Sequence, residues 1–122
     1  MMYLRFVAGI ESEGARNQNG IFTELQILKD DNKLFNYQIE YLEDTFKYFN
    51  DNLPIPPYSR KSIPKDAVAW FKHSAKVFIS RMWDLVAILE ENEVNIRILK
   101  TDKPGMILYE DEFQVVAKSK RY

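Results

Sequence analysis

Residues 67–100 read "AVAWFKHSAKVFISRMWDLVAILEENEVNIRILK", and three periodicities meet in them. "AVAWF" (67–71) is a short apolar run between polar residues, the pattern of a buried strand. From 74 to 92, Ala75, Phe78, Ile79, Met82, Leu85, Val86 and Leu89 recur at steps that line one face of an α-helix. Ser74 stands where an N-cap belongs. Val77 and Ile88 fall on the opposite side of the wheel, so this helix is expected to be covered from two directions. "VNIRILK" (94–100) then alternates, with Val94, Ile96 and Ile98 on one face. Strand, helix, strand in this order predicts two parallel strands joined by a right-handed crossover.

Downstream, "DKPG" (102–105) has proline and glycine in the order of a type II turn. "MILYE" (106–110) and "FQVVA" (113–117) read as two more strands. Short connections predict antiparallel pairing of the last three strands. Glu110, Asp111 and Glu112 fall where the final hairpin reverses. A metal site needs ligands converging from elsewhere, and no histidine or second acidic pair can be placed beside them, so they read as a solvated turn.

Upstream, "MYLRFVA" (2–8) reads as a strand and "ESEGARNQNG" (11–20) as a polar loop. Ile21, Leu25 and Leu28 predict a helix over 21–31, capped by Asn19. Ile39, Leu42, Phe46 and Phe49 predict a second helix over 37–52, capped by Asn36 and ended by "LPIPP". "PIPPYSRKSIPKD" (54–66) is a basic, proline-punctuated connection. The expectation is one α+β domain over 1–122: a mixed, mostly antiparallel sheet of four or five strands, helices packed on one face, in the order β-α-α-β-α-β-β-β.

Composition narrows function more than it assigns it. The 122 residues are 46% apolar and rich in aromatics, so a packed core is expected rather than a disordered chain. A formal net charge of −1 gives no long-range pull on a polyanion, which makes nucleic acid an unlikely partner. The absence of cysteine excludes disulfides, thiolate chemistry and Cys-rich zinc sites. No window approaches the ~20 apolar residues of a membrane span. The N-terminus has no basic leader ahead of its apolar run, so a cytoplasmic protein without a membrane partner is expected.

The stretches "WFKHSA", "RMWDLVAILEENEV" and "LKTDKPGMILYEDEFQVVA" give the C-terminal half a texture that resembles the ends of small bacterial proteins of unassigned function. The resemblance implies a bacterial, cytoplasmic protein. It implies no activity, substrate, cofactor or functional residue.

Two places in the chain are candidates for function. The first is the strand-to-helix junction "WFKHS" (70–74), where Lys72, His73, Ser74 and Lys76 surround the positive end of a helix dipole. Six basic residues against Asp66 give residues 54–82 a net charge of +5, whereas residues 30–52 carry −4. This marks 72–76 as a possible site for a phosphate-bearing ligand, without a glycine-rich phosphate loop. His73 and Ser74 are adjacent, and adjacent side chains rarely face each other, so they make no nucleophile–base pair. The second place is the helix 37–52. Tyr37, Tyr41 and Tyr48 cluster opposite its apolar face, edged by Glu40, Asp44 and Asp51. Such a face suits a protein partner or self-association, unless another part of the chain covers it.

Tyr58, Arg60, Lys61 and Lys65, with the tail "KSKRY" (118–122), form only a weak nucleic-acid footprint. No catalytic constellation and no cofactor motif is present. The first expectation is therefore a non-enzymatic protein-interaction or regulatory module, such as an immunity or antitoxin-type partner. The alternative is an enzyme or sensor that binds a phosphate-bearing ligand near Ser74.

Overall fold

The computed structural model describes residues 1–8, 20–59, 63–64 and 66–118. The loop 11–19, the Asn19 cap, Arg60, Lys61, Lys65 and residues 119–122 of the basic tail lie outside them. The elements follow the expected order: β1 (Tyr3–Ala8), α1 (Ile21–Asp30), α2 (Asn36–Asn52), β2 (Val68–Lys72), α3 (Lys76–Glu91), β3 (Ile96–Thr101), β4 (Met106–Glu110) and β5 (Gln114–Lys118). The class is α+β, as the periodicities indicate.

The five strands form one sheet in the order β3-β1-β2-β5-β4, and every neighbouring pair is antiparallel. This corrects the expected parallel pairing. β2 and β3 do run in the same direction, but β1 is inserted between them and pairs with each. Tyr3 to Ala8 matches Thr101 to Ile96 along the whole of β1, whereas β1 meets β2 only at Tyr3↔Lys72 and Leu4↔Phe71. The strand-helix-strand pattern shows direction and cannot show which distant strand slots in.

Nor are β3 and β4 a hairpin, because they lie at opposite ends of the strand order. Strands stand about 4.8 Å apart, so a flat sheet would separate them by roughly 19 Å. The chain from Thr101 to Met106 reaches at most about 18 Å. The sheet is therefore curled. Gly105 in this link has φ 113°, a conformation open to glycine. β4 and β5 do form the expected hairpin, with a register shift between Ile107 and Tyr109.

The helices pack on the face that carries Leu4, Phe6, Phe71, Ile96 and Ile98. Leu25, Leu85 and Leu89 are fully buried there. Phe78 is the hub: its ring lies 5.2 Å from Phe49 and 4.8 Å from Phe113, both edge-on. Such contacts add to the burial of apolar area that drives this core. Phe46, expected on the apolar stripe, is instead half exposed at the edge of the layer, against Phe22 of α1. Of the two residues on the far side of α3, Ile88 is buried and Val77 is exposed.

Helix ends differ from the sequence reading. Asn36 is the first residue of α2 rather than its cap. Phe35 holds the cap position, and its N–H donates to Gln38 Oε1 at 2.9 Å. α3 begins at Lys76 behind Ala75, without a side-chain cap, and Ser74 contributes only its carbonyl, which accepts from the Lys76 N–H at 2.8 Å. At the other end of α3, Glu93 takes the left-handed conformation, φ 63°, while the Val94 N–H returns to the Leu89 carbonyl at 3.0 Å. Glycine is the usual occupant of that position. Among the described residues, no helix is long and apolar enough to cross a membrane.

Candidate functional site

The tyrosine face of α2 is used inside the chain. Tyr41 Oη donates to Asp84 Oδ2 of α3 at 2.6 Å. Burial, then the bond to Asp84, raises the Tyr41 hydroxyl above its ordinary pKa. Tyr48 packs on Phe78, and the Arg81 guanidinium stands 4.1 Å above its ring. The same guanidinium reaches Asp44 Oδ2 and Thr45 Oγ1, each at 3.4 Å, and Thr45 is fully buried. Gln38 closes the far end of the seam through Glu91. Tyr41, Tyr48 and Asp44 thus join α2 to α3. Of the expected interface residues the Asp44 side chain stays 73% exposed despite its contact with Arg81, and Tyr37 stays open as well. It is 66% exposed and stacked on an equally open Phe35.

The acid triplet is a turn with Asp111 at its centre. Asp111 Oδ1 accepts from the Phe113 and Gln114 amides, and Oδ2 from Tyr109 Oη and Gln114 Nε2. Burial alone would oppose the charge. The Phe113 amide, the Tyr109 hydroxyl and the two Gln114 donors outweigh it and hold the carboxyl below the usual range. Gln114 Nε2 also donates to the Pro54 carbonyl at 2.7 Å, tying the turn to the segment after α2. Among the described residues, no group of three His, Cys, Asp or Glu side chains is arranged to hold a metal.

The four residues expected to gather an anion at the start of α3 are separated by the fold. Lys72 points to the other face of the sheet and pairs with Glu110 of β4. Ser74 borders a small recess beside Tyr48 and Phe113. His73 and Lys76 line a groove of about 720 Å³ between α3 and the β1–β3 side of the sheet. Met2, Leu4, Ile79 and Trp83 supply its apolar walls, and Lys100 of β3 a second ammonium. Trp83 is 47% exposed there, its ring edge-on to Phe6 at 5.6 Å. Neither Lys76 nor Lys100 is ion-paired among the described residues. Asp84 sits at the rim, held by Tyr41.

Trp83 and Lys100 were legible in the sequence by their misfit. Trp83 follows Met82 and falls off the apolar stripe of α3. Lys100 continues the alternation of Ile96 and Ile98 on the helix side, where a charge has no reason to be buried. Nothing in the sequence announces Met2 and Leu4, which arrive only because β1 lies beside β3. No family model, curated protein or solved structure matches the chain.

Proposed function

We propose that the protein is a non-enzymatic binding module that takes an acidic segment of a partner protein in the groove between α3 and the β1–β3 side of the sheet. The observation that carries this reading is the pairing of an exposed indole, Trp83, with two ammonium groups that have no ion pair among the described residues, Lys76 and Lys100, along one depression. An exposed tryptophan is the kind of aromatic anchor found at interface centres, and lysines beside it suit the charged rim that orients a partner. The groove replaces the tyrosine face as the place for a partner, since α3 covers most of that face. The test is co-purification from the native host of the wild-type chain, Trp83→Ala and Lys76→Glu/Lys100→Glu. A partner held by the wild type and lost by both variants at unchanged melting temperature supports the reading. Equal recovery by all three, or none by the wild type, refutes it.

A second reading has its own observation. His73 and Lys76 stand at the start of α3, where no side chain caps the first-turn amides and the helix dipole is positive. A phosphate-bearing small molecule seated there would use the same lysines. Thermal shift against nucleotides and sugar phosphates separates the two readings: stabilisation lost in Lys76→Ala favours the small ligand.

A further inference from the structure

The sheet face turned away from the helices carries two arginines. Val7↔Arg97 and Arg5↔Leu99 are opposite pairs of β1 and β3, so Arg5 and Arg97 share this face as diagonal neighbours, about 7–8 Å apart at the backbone. Trp70 of β2 lies on it too, two residues before Lys72, the partner of Tyr3. Their surroundings are closed: Tyr3, Val7, Val115 and Ala117, on the same face, are all buried.

Three of these donor nitrogens lack a partner among the described residues. Arg97 Nε and Nη2 and Trp70 Nε1 are buried without a hydrogen-bond partner. Among the described residues neither arginine has an ion pair, and the acid that β4 brings to this face, Glu110, is taken by Lys72. Burial depresses the Arg5 guanidinium. Buried donors are almost always satisfied, and a buried guanidinium left unpaired is costlier than a neutral group. A planar fork of N–H groups matches a carboxylate or phosphate with two parallel bonds.

We infer that this face binds a small molecule through an oxyanion, carboxylate or phosphate, held by Arg97 and Arg5 with the Trp70 indole N–H as a third donor. The site is separate from the groove on the helix side and does not depend on the function proposed for that groove.

The test uses the full chain in an anion-poor zwitterionic buffer. Melting temperature is followed as inorganic phosphate or acetate is raised to millimolar levels, and the Arg97 Nε–H resonance is followed by NMR. A saturable rise with at least one probe, together with a shift of that resonance, is expected. A rise with one probe alone identifies which oxyanion fits. Arg97→Met and Arg5→Met should weaken the response about tenfold or more, and Arg97→Lys, which keeps the charge but loses the fork, should weaken it as well. Lys76→Ala/Lys100→Ala should leave it intact, which separates this site from the groove. A response unchanged in Arg97→Met, or a wild type with neither a saturable rise nor a moved resonance, overturns the inference. If Arg97→Met does not fold, Arg97→Lys and the wild-type resonance decide.

Discussion

The two faces of the sheet solve different problems with the same strands. Toward the helices, β1 presents Leu4 and Phe6 to an aromatic layer in which Phe49, Phe71, Phe78 and Phe113 touch one another. The polar groups nearby are bonded: Gln114 to Pro54, Gln38 to Glu91 and Thr45 to Arg81. Away from the helices, the alternate residues of the same strand place Arg5 beside Arg97 and Trp70, with three buried nitrogens unbonded. A face selected only for stability would carry apolar residues at those positions, since replacing buried charge by hydrophobic residues of similar volume is often neutral or stabilising. The contrast separates residues that hold the fold from residues that the fold holds in place for something else.

The largest expected effect lies on the helix side. Leu85→Ala opens a cavity at a fully buried position and should cost about 3 kcal/mol by chemical denaturation, within the usual range for such truncations. Next comes the hairpin that ties the sheet to the segment after α2. Asp111→Ala removes four accepted bonds and should cost about 1–2 kcal/mol at neutral pH. The sign of its pH dependence follows from the lowered carboxyl. Its contribution is complete above the unfolded value of about 4 and is lost as pH falls through the folded value. The gap between wild type and Asp111→Ala should therefore close in acid.

Smaller still is a gain. Glu93→Gly relieves a left-handed backbone at the end of α3 and should stabilise by about 0.5–1 kcal/mol. The smallest change should come from the opposite face. Arg97→Met in anion-free buffer is expected to shift stability by less than about 1 kcal/mol, with a gain the preferred sign. A loss there as large as that of Leu85→Ala would collapse the distinction between the faces.

Much of the fold was legible because it rests on local periodicity. Element types and order followed from the spacing of residues such as Phe78, Met82, Leu85 and Leu89, and from the alternation through Ile96 and Ile98. Pairing was not legible, because β1 docks between β2 and β3 through contacts between distant parts of the chain. The arrangement of the candidate residues was not legible for a related reason. Lys72 and Lys76 are four residues apart, but one ends a strand and the other begins a helix, so the sheet sends their side chains to different sides. Tyr41 and Tyr48 looked unclaimed on a single-helix wheel, which contains no α3. Caps failed where chemistry alone guided the reading. Ser74 and Asn36 are good cappers, yet Ala75 and Phe35 hold those positions because the packing of Phe78 and Leu42 fixes where each helix starts.

The interior place of β1 in the sheet has a further consequence. Its neighbours come from Val68–Lys72 and Ile96–Thr101, and its long pairing is with the second of these. During synthesis β1 therefore waits, with its β3 edge open, until Ile96–Thr101 has been made. Such distant pairings slow folding, and they make β1 the bridge between β3 and the other three strands, so deleting β1 would detach β3 rather than trim the border of the sheet.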